Sequence, residues 1–263
     1  ALDMEAGYSD EGNPVALKSE FVLSLCEQLM GAEKMQAKEK SIIDRCTAHV
    51  YKEYIKNGYK GQPPTLKEFH AELLRQSEPE AKEIALAIEL FVSGSLNTFS
   101  KATNVDTHNR ILCFDIRDLG RQLMPVGMLV VLDAIFNRII KNKERGVRTW
   151  IYIDEIYLLF AYEYSANFLY TWWKRLRKYA AAITGITQNI SDLLQSHTAR
   201  TMLGNSEFLV LLNQSANDRE ELANLLNISE VQLSYLRNVD AGHGLIKCGS
   251  AILPFENVFP KNE

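Results

Sequence analysis

Trp150-Ile151-Tyr152-Ile153-Asp154-Glu155 is an apolar run that ends in two acids. In an open α/β sheet, ligands bind beyond the carboxyl ends of the strands, so acids at that position project into the usual crevice. The run has the form of a Walker B segment. There the first acid, Asp154, holds a magnesium ion through water, and the second, Glu155, polarises the water that attacks a terminal phosphate. The plainer alternative makes Asp154 a helix cap and Glu155 a solvated side chain. Downstream, Thr184-Gly185-Ile186-Thr187-Gln188 ends in an amide. If the two strands are neighbours, Gln188 reaches a phosphate or the attacking water, because an amide both donates and accepts. Between them runs Trp172-Trp173-Lys174-Arg175-Leu176-Arg177-Lys178-Tyr179. Cations at a helix C-terminus are favoured by its dipole, so a solvated face is the default. The functional alternatives are an arginine offered to the phosphates of a neighbouring subunit, or a tryptophan-and-cation surface for nucleic acid.

The elements that must position these residues fall into two groups. Up to about residue 105, apolar spacing and stop signals predict helices. Pro14 starts one, with Leu17, Phe21, Leu25 and Leu29 on its face and Gly31 at its end. A second begins near Ser41 and ends at Asn57-Gly58. Thr65 and Glu68 have capping-box spacing and open a third, to about Gln76. Ile84, Ile88 and Phe91 carry a fourth as far as Gly94. Residues 95–109 are a polar link.

From Arg110 onward, strands alternate with helices, which predicts a mostly parallel sheet covered on both faces. Strands are expected at 111–116, 149–153, 181–187 and 208–212, and a closing hairpin at 244–253. Helices are expected at 126–143, 166–179, 218–226 and 230–236. The domains predicted are thus an α-helical subdomain, 1–105, and an α/β core, 106–263.

Composition narrows the function. The chain has 263 residues, 46% hydrophobic and 24% charged, ordinary values for a globular protein. No stretch approaches the ~20 uncharged apolar residues of a membrane span, and no signal peptide is apparent. The net charge of −4 lies entirely in residues 1–105, with 12 basic and 16 acidic residues; the remainder is neutral. Neither half has the basic excess of a nucleic-acid binder. Cys26, Cys46, Cys113 and Cys248 form no CxxC pair, which points to a reducing, cytoplasmic setting. His49, His70, His108, His197 and His243 show no metal-ligand spacing. Trp150 and Phe160 are expected in the core.

These motifs together resemble the C-terminal ATPase domain of the conjugative type IV secretion ATPases, relatives of the hexameric RecA-like DNA translocases. The resemblance runs through Asn13-Pro14, Lys18-Ser19-Glu20-Phe21, Ser41 to Arg45, Pro64-Thr65-Leu66, Thr103 to Asp106, Phe114-Asp115-Ile116, Tyr152 to Glu155, Arg177-Lys178 and Gly185 to Gln188. It implies a RecA-like P-loop NTPase core with a helical subdomain. It implies ATP and Mg2+ as cofactors, with Asp154 at the metal and Glu155, Gln188 and Arg177 catalytic. Arg175 and Lys178 join Asp154, Glu155 and Gln188 in binding nucleotide.

The implied partners are other secretion components, namely the coupling protein, secretion ATPases and inner-membrane channel proteins. A homo-hexamer at the cytoplasmic face of the membrane is also implied, with DNA as a further ligand. No GxxxxGK[ST] loop occurs in the 263 residues. The resemblance places that loop and the first strands upstream, so these residues alone are expected to hydrolyse little ATP. The sequence also has Tyr179-Ala180-Ala181 where the family prefers glycines. Two other functions fit the same motifs. One is a DNA-translocating coupling protein or hexameric pump; the other is a non-hydrolysing module that docks secretion components.

Overall fold

The computed structural model describes residues 14–107, 109–188, 190–237 and 239–257. Asn13 and His108, singled out above, lie outside them. The chain divides into two compact units: 1–150 with 177–182, and 151–176 with 183–263.

The first unit is built on helices α1 (Pro14–Met30), α2 (Ala37–Lys56), α3 (Leu66–Arg75), α4 (Pro79–Val92) and α5 (Met124–Glu144). Punctuation in the sequence sets their ends. Gly31 takes φ 93°, a conformation that stops α1 without steric cost. The Thr65 side chain accepts a hydrogen bond from the Lys67 N–H, and the Thr65 N–H donates to Glu68 Oε2 at 2.7 Å, completing the capping box on α3. Phe21, Val22 and Leu25 of α1 are buried, as are Ile43 and Tyr51 of α2, Phe69 and Leu73 of α3, and Ile84 and Ile88 of α4. Polar ties cross this core. Lys18, only 2% exposed, donates to Asp133 of α5 at 2.6 Å, and Asn137 donates to the same carboxylate at 3.1 Å. Glu72 pairs with His49 at 2.7 Å and with Arg75 at 3.3 Å. Its burial raises the carboxyl pKa, the His49 and Arg75 bonds lower it, and the net shift is downward.

The expected strand at 111–116 does not form. Ile111 is 85% exposed, and no strand among the described residues runs beside this segment. A β-prone run with no ladder to join leaves its backbone groups to water. Asp115 instead holds Arg117 through a two-pronged hydrogen bond, which pulls its carboxyl down to about 2.

Strands β1 (Thr149–Ile153) and β2 (Ala181–Gly185) pair, and each contributes residues to both units. The bonds Thr149 N–H to Ala180 O and Ile186 N–H to Ile153 O advance in the same direction along both strands, so the pair is parallel.

The second unit adds α6 (Glu163–Arg175), α7 (Ile190–Leu194), α8 (His197–Gly204), β3 (Phe208–Leu211), α9 (Ala216–Leu226), α10 (Glu230–Leu233), β4 (His243–Cys248) and β5 (Ala251–Glu256). The last three strands form an antiparallel sheet in the order β3-β4-β5, with Cys248 opposite Ala251 at the hairpin. Parallel pairing is therefore confined to β1 and β2 among the described strands. Leu211 and Leu245 of this sheet pack with Ile190, Leu194, Leu222, Leu226 and Leu236, the core of the unit.

Candidate nucleotide site

The β1 strand buries Ile151 and turns Trp150 and Tyr152 outward, the alternation that period-2 backbone dictates. Trp150, expected in the core, is consequently 63% exposed. At the end of the strand Asp154 is exposed, and its Oδ1 accepts the Glu155 N–H at 3.0 Å. Glu155 stands at φ 48°, ψ 47°, in the left-handed region. A side chain with a Cβ occupies that region at a cost of roughly 1–2 kcal/mol. Its Oε2 is buried without a hydrogen-bond partner among the described residues.

The turn is latched to the end of β2 from both sides: Ile186 N–H donates to Ile153 O at 2.8 Å, and Ile156 N–H donates to Ile186 O at 3.0 Å. Gly185 makes this approach possible. A Cβ on it would lie 2.6 Å from Ile156 Cδ1. Gln188, two residues beyond Ile186, is exposed. Because the strands are parallel, Asp154, Glu155 and Gln188 stand past the same edge of the pair, within the second unit.

The cations are placed differently. Arg175 is the exposed last residue of α6, a helix anchored by buried Trp172 and by Trp173, whose indole N–H donates to Ser206 Oγ at 3.2 Å. Trp172 is thus core, and the tryptophan half of the proposed nucleic-acid surface is lost. Arg177 and Lys178 lie in the 3₁₀ turn that precedes β2 and belong to the first unit. Both are exposed. Ala180, standing where the resemblance leads one to expect glycine, adopts φ 52°. The backbone thus keeps a glycine-type turn without the glycine. Gln188 follows β2 while Arg177 precedes it, so the structure does not gather the arginine with the Asp154 group at one strand end.

Sequence reasoning missed Arg148, the residue before β1, which the parallel pairing brings beside the Arg177 turn. The sequence carries no signal for it, because the nearness arises from the pairing of β1 with β2.

The TraG P-loop domain profile matches residues 14–243. The chain belongs to that family. Its match to the TraG P-loop domain bears out the resemblance to conjugative type IV secretion ATPases. The fold is also similar to the solved structure of VirB4 of Thermoanaerobacter pseudethanolicus, with a TM-score of 0.77 and 23% identity, over 94% of this chain and 70% of that one. No curated protein matches the chain. In this TraG P-loop domain, no helix among the described residues is long and apolar enough to cross a membrane.

An exposed Asp154 carboxylate beside a buried, unbonded Glu155 oxygen fits a hydrated divalent cation and a water in need of an acceptor. The grip on the phosphate chain does not fit in the same way. None of the fourteen glycines of the sequence lies in a loop of the Walker A form.

Proposed function

We propose that this TraG P-loop domain is the nucleotide-hydrolysing part of a conjugative type IV secretion motor, coupling ATP hydrolysis to channel assembly and to the transfer of DNA or protein. The observation that carries the reading is the Asp154-Glu155 turn, latched by Ile186 to the end of a parallel strand pair and holding one buried carboxylate oxygen without a partner among the described residues. Asp154 would hold a hydrated magnesium ion, which would supply positive charge to the phosphate oxygens. Glu155 accepts a proton from the attacking water, and Gln188 positions that water against the terminal phosphate. Arg177, with Arg175 and Lys178 near it in sequence, acts on nucleotide held by a neighbouring subunit. Support in trans is typically worth 10³ to 10⁵ in rate, roughly 4–7 kcal/mol.

The helical subdomain 1–105 and the core 106–263 act within a homo-hexamer at the cytoplasmic face of the membrane. There they meet the coupling protein, other secretion ATPases and inner-membrane channel proteins. No loop of the Walker A form occurs in the 263 residues, so these residues alone are expected to turn over little ATP.

Turnover and nucleotide binding of the full-length protein test this. Glu155→Gln keeps size and shape while removing the base, so folding and ATP affinity persist and turnover falls by at least about 10²-fold. Asp154→Asn raises the magnesium concentration needed for half-maximal rate. Parent-rate hydrolysis by both variants returns these acids to a capping role.

A further inference from the structure

We infer that Arg148 is a second guanidinium working with Arg177 on the polyphosphate of a nucleotide bound by a neighbouring copy of the chain. The inference rests on the ATPase reading above. A short chain of backbone bonds builds the pair, all within the first unit: Ala180 N–H donates to Arg177 O at 3.2 Å, and Ala180 O accepts the Thr149 N–H at 3.2 Å. Arg148 and the Arg177 turn therefore lead into adjacent parallel strands, whose axes lie about 4.8 Å apart. Both side chains are exposed, and neither guanidinium has a hydrogen-bond or ion-pair partner among the described residues.

The surroundings hold this arrangement in place. Asn142 of α5 donates to Thr149 Oγ1 at 2.9 Å, fixing the start of β1 to the helix before it. The Tyr179 ring lies against Phe136 at 5.8 Å and under Lys143 Nζ at 4.9 Å. Arg145, three residues before Arg148, and Lys178, next to Arg177, are also exposed, as is the acid Glu144.

Two planar forks one strand apart suit the clustered oxygens of a single polyphosphate, where a guanidinium binds two oxygens at once. Nucleic acid is the less favoured ligand. The chain as a whole is acidic and lacks the basic excess of a nucleic-acid binder.

The test compares ATP turnover by the full-length protein carrying Arg148→Ala, Arg177→Ala or Glu155→Gln. Arg148→Ala is expected to lower kcat about 10²-fold, the scale of losing one charge-stabilising donor, with nucleotide affinity and melting temperature unchanged. Arg148→Lys should recover part of the rate. Mixing Arg148→Ala with Glu155→Gln should also recover part, because some interfaces in mixed assemblies carry both intact groups. Parent-rate turnover by Arg148→Ala, with Glu155→Gln and Arg177→Ala inactive, overturns the inference and leaves the ATPase reading standing. Loss without recovery on mixing, or a lowered melting temperature, overturns it in favour of a role inside one subunit. An Arg148→Ala protein that hydrolyses ATP normally but binds a short single-stranded oligonucleotide more weakly reassigns the surface to nucleic acid. Parent-rate turnover by Glu155→Gln removes the reading beneath the inference, and the inference with it.

Discussion

Replacing Gly185 by alanine presses on the residue that follows Glu155. The added Cβ would meet Ile156 Cδ1 at 2.6 Å and Cγ2 at 3.2 Å, where carbon atoms prefer about 3.5–4.0 Å. Cδ1 can swing aside, but Cγ2 hangs on a β-branched carbon with one favoured rotamer, so the backbone at Ile156 must also give. Overpacking of this kind costs about 1–3 kcal/mol. Alanine recovers about 0.4–1 kcal/mol of that by restricting the unfolded chain. The net expectation for Gly185→Ala is a loss of about 1–2 kcal/mol.

Ile156→Ala removes Cγ2 and Cδ1 together and should cost about 2–5 kcal/mol by itself. If the collision is the cause, the double variant is more stable than the summed single losses by at least about 1 kcal/mol. Urea unfolding followed by tryptophan fluorescence measures all four proteins. In the full-length protein, Gly185→Ala should also lower turnover, and Ile156→Ala should restore part of it. Additive losses, within about 0.5 kcal/mol, would refute the claim that Gly185 is there to admit Ile156.

Two further outcomes concern the helical unit. Asp133→Ala strands the Lys18 ammonium in the core and should cost about 3–5 kcal/mol. Replacing both partners by apolar residues, as in Lys18→Met with Asp133→Leu, should cost far less, and urea midpoints distinguish the two cases. Glu72 has a folded pKa below its ordinary value. Its contribution to stability is therefore present above the usual carboxylate range and is lost as pH falls through about 4 and below. Glu72→Gln should show a smaller drop in urea midpoint than the parent between about pH 6 and pH 3.

Local grammar made most elements legible. Pro14, Gly31, the Thr65–Glu68 pair and the apolar run before Asp154 each mark a feature by chemistry confined to a few residues, and each lies where its spacing placed it. Ile111 to Ile116 has equally strand-like composition, but a strand is completed by its neighbour, and a single sequence does not display pairing. The same limit hid Trp150. Its exposure depends on which face of β1 is covered, a tertiary matter. At the site, Asp154, Glu155 and Gln188 could be read from strand-end position alone. The nearness of Arg148 to the Arg177 turn could not, because it arises from the register of two strands separated by α6 and its connections. The Lys18–Asp133 bond was hidden for a related reason: its partners are 115 residues apart.

Glu155 is held twice against its preference, by a left-handed backbone that suits glycine or asparagine and by a buried oxygen that no described residue satisfies. Each costs on the order of 1 kcal/mol or more. The fold thus keeps, at the end of β1, a residue it would be more stable without. Directed improvement of this domain by thermal selection would rank replacement of Glu155 by glycine or asparagine among its gains, and would remove the proposed base in the same step.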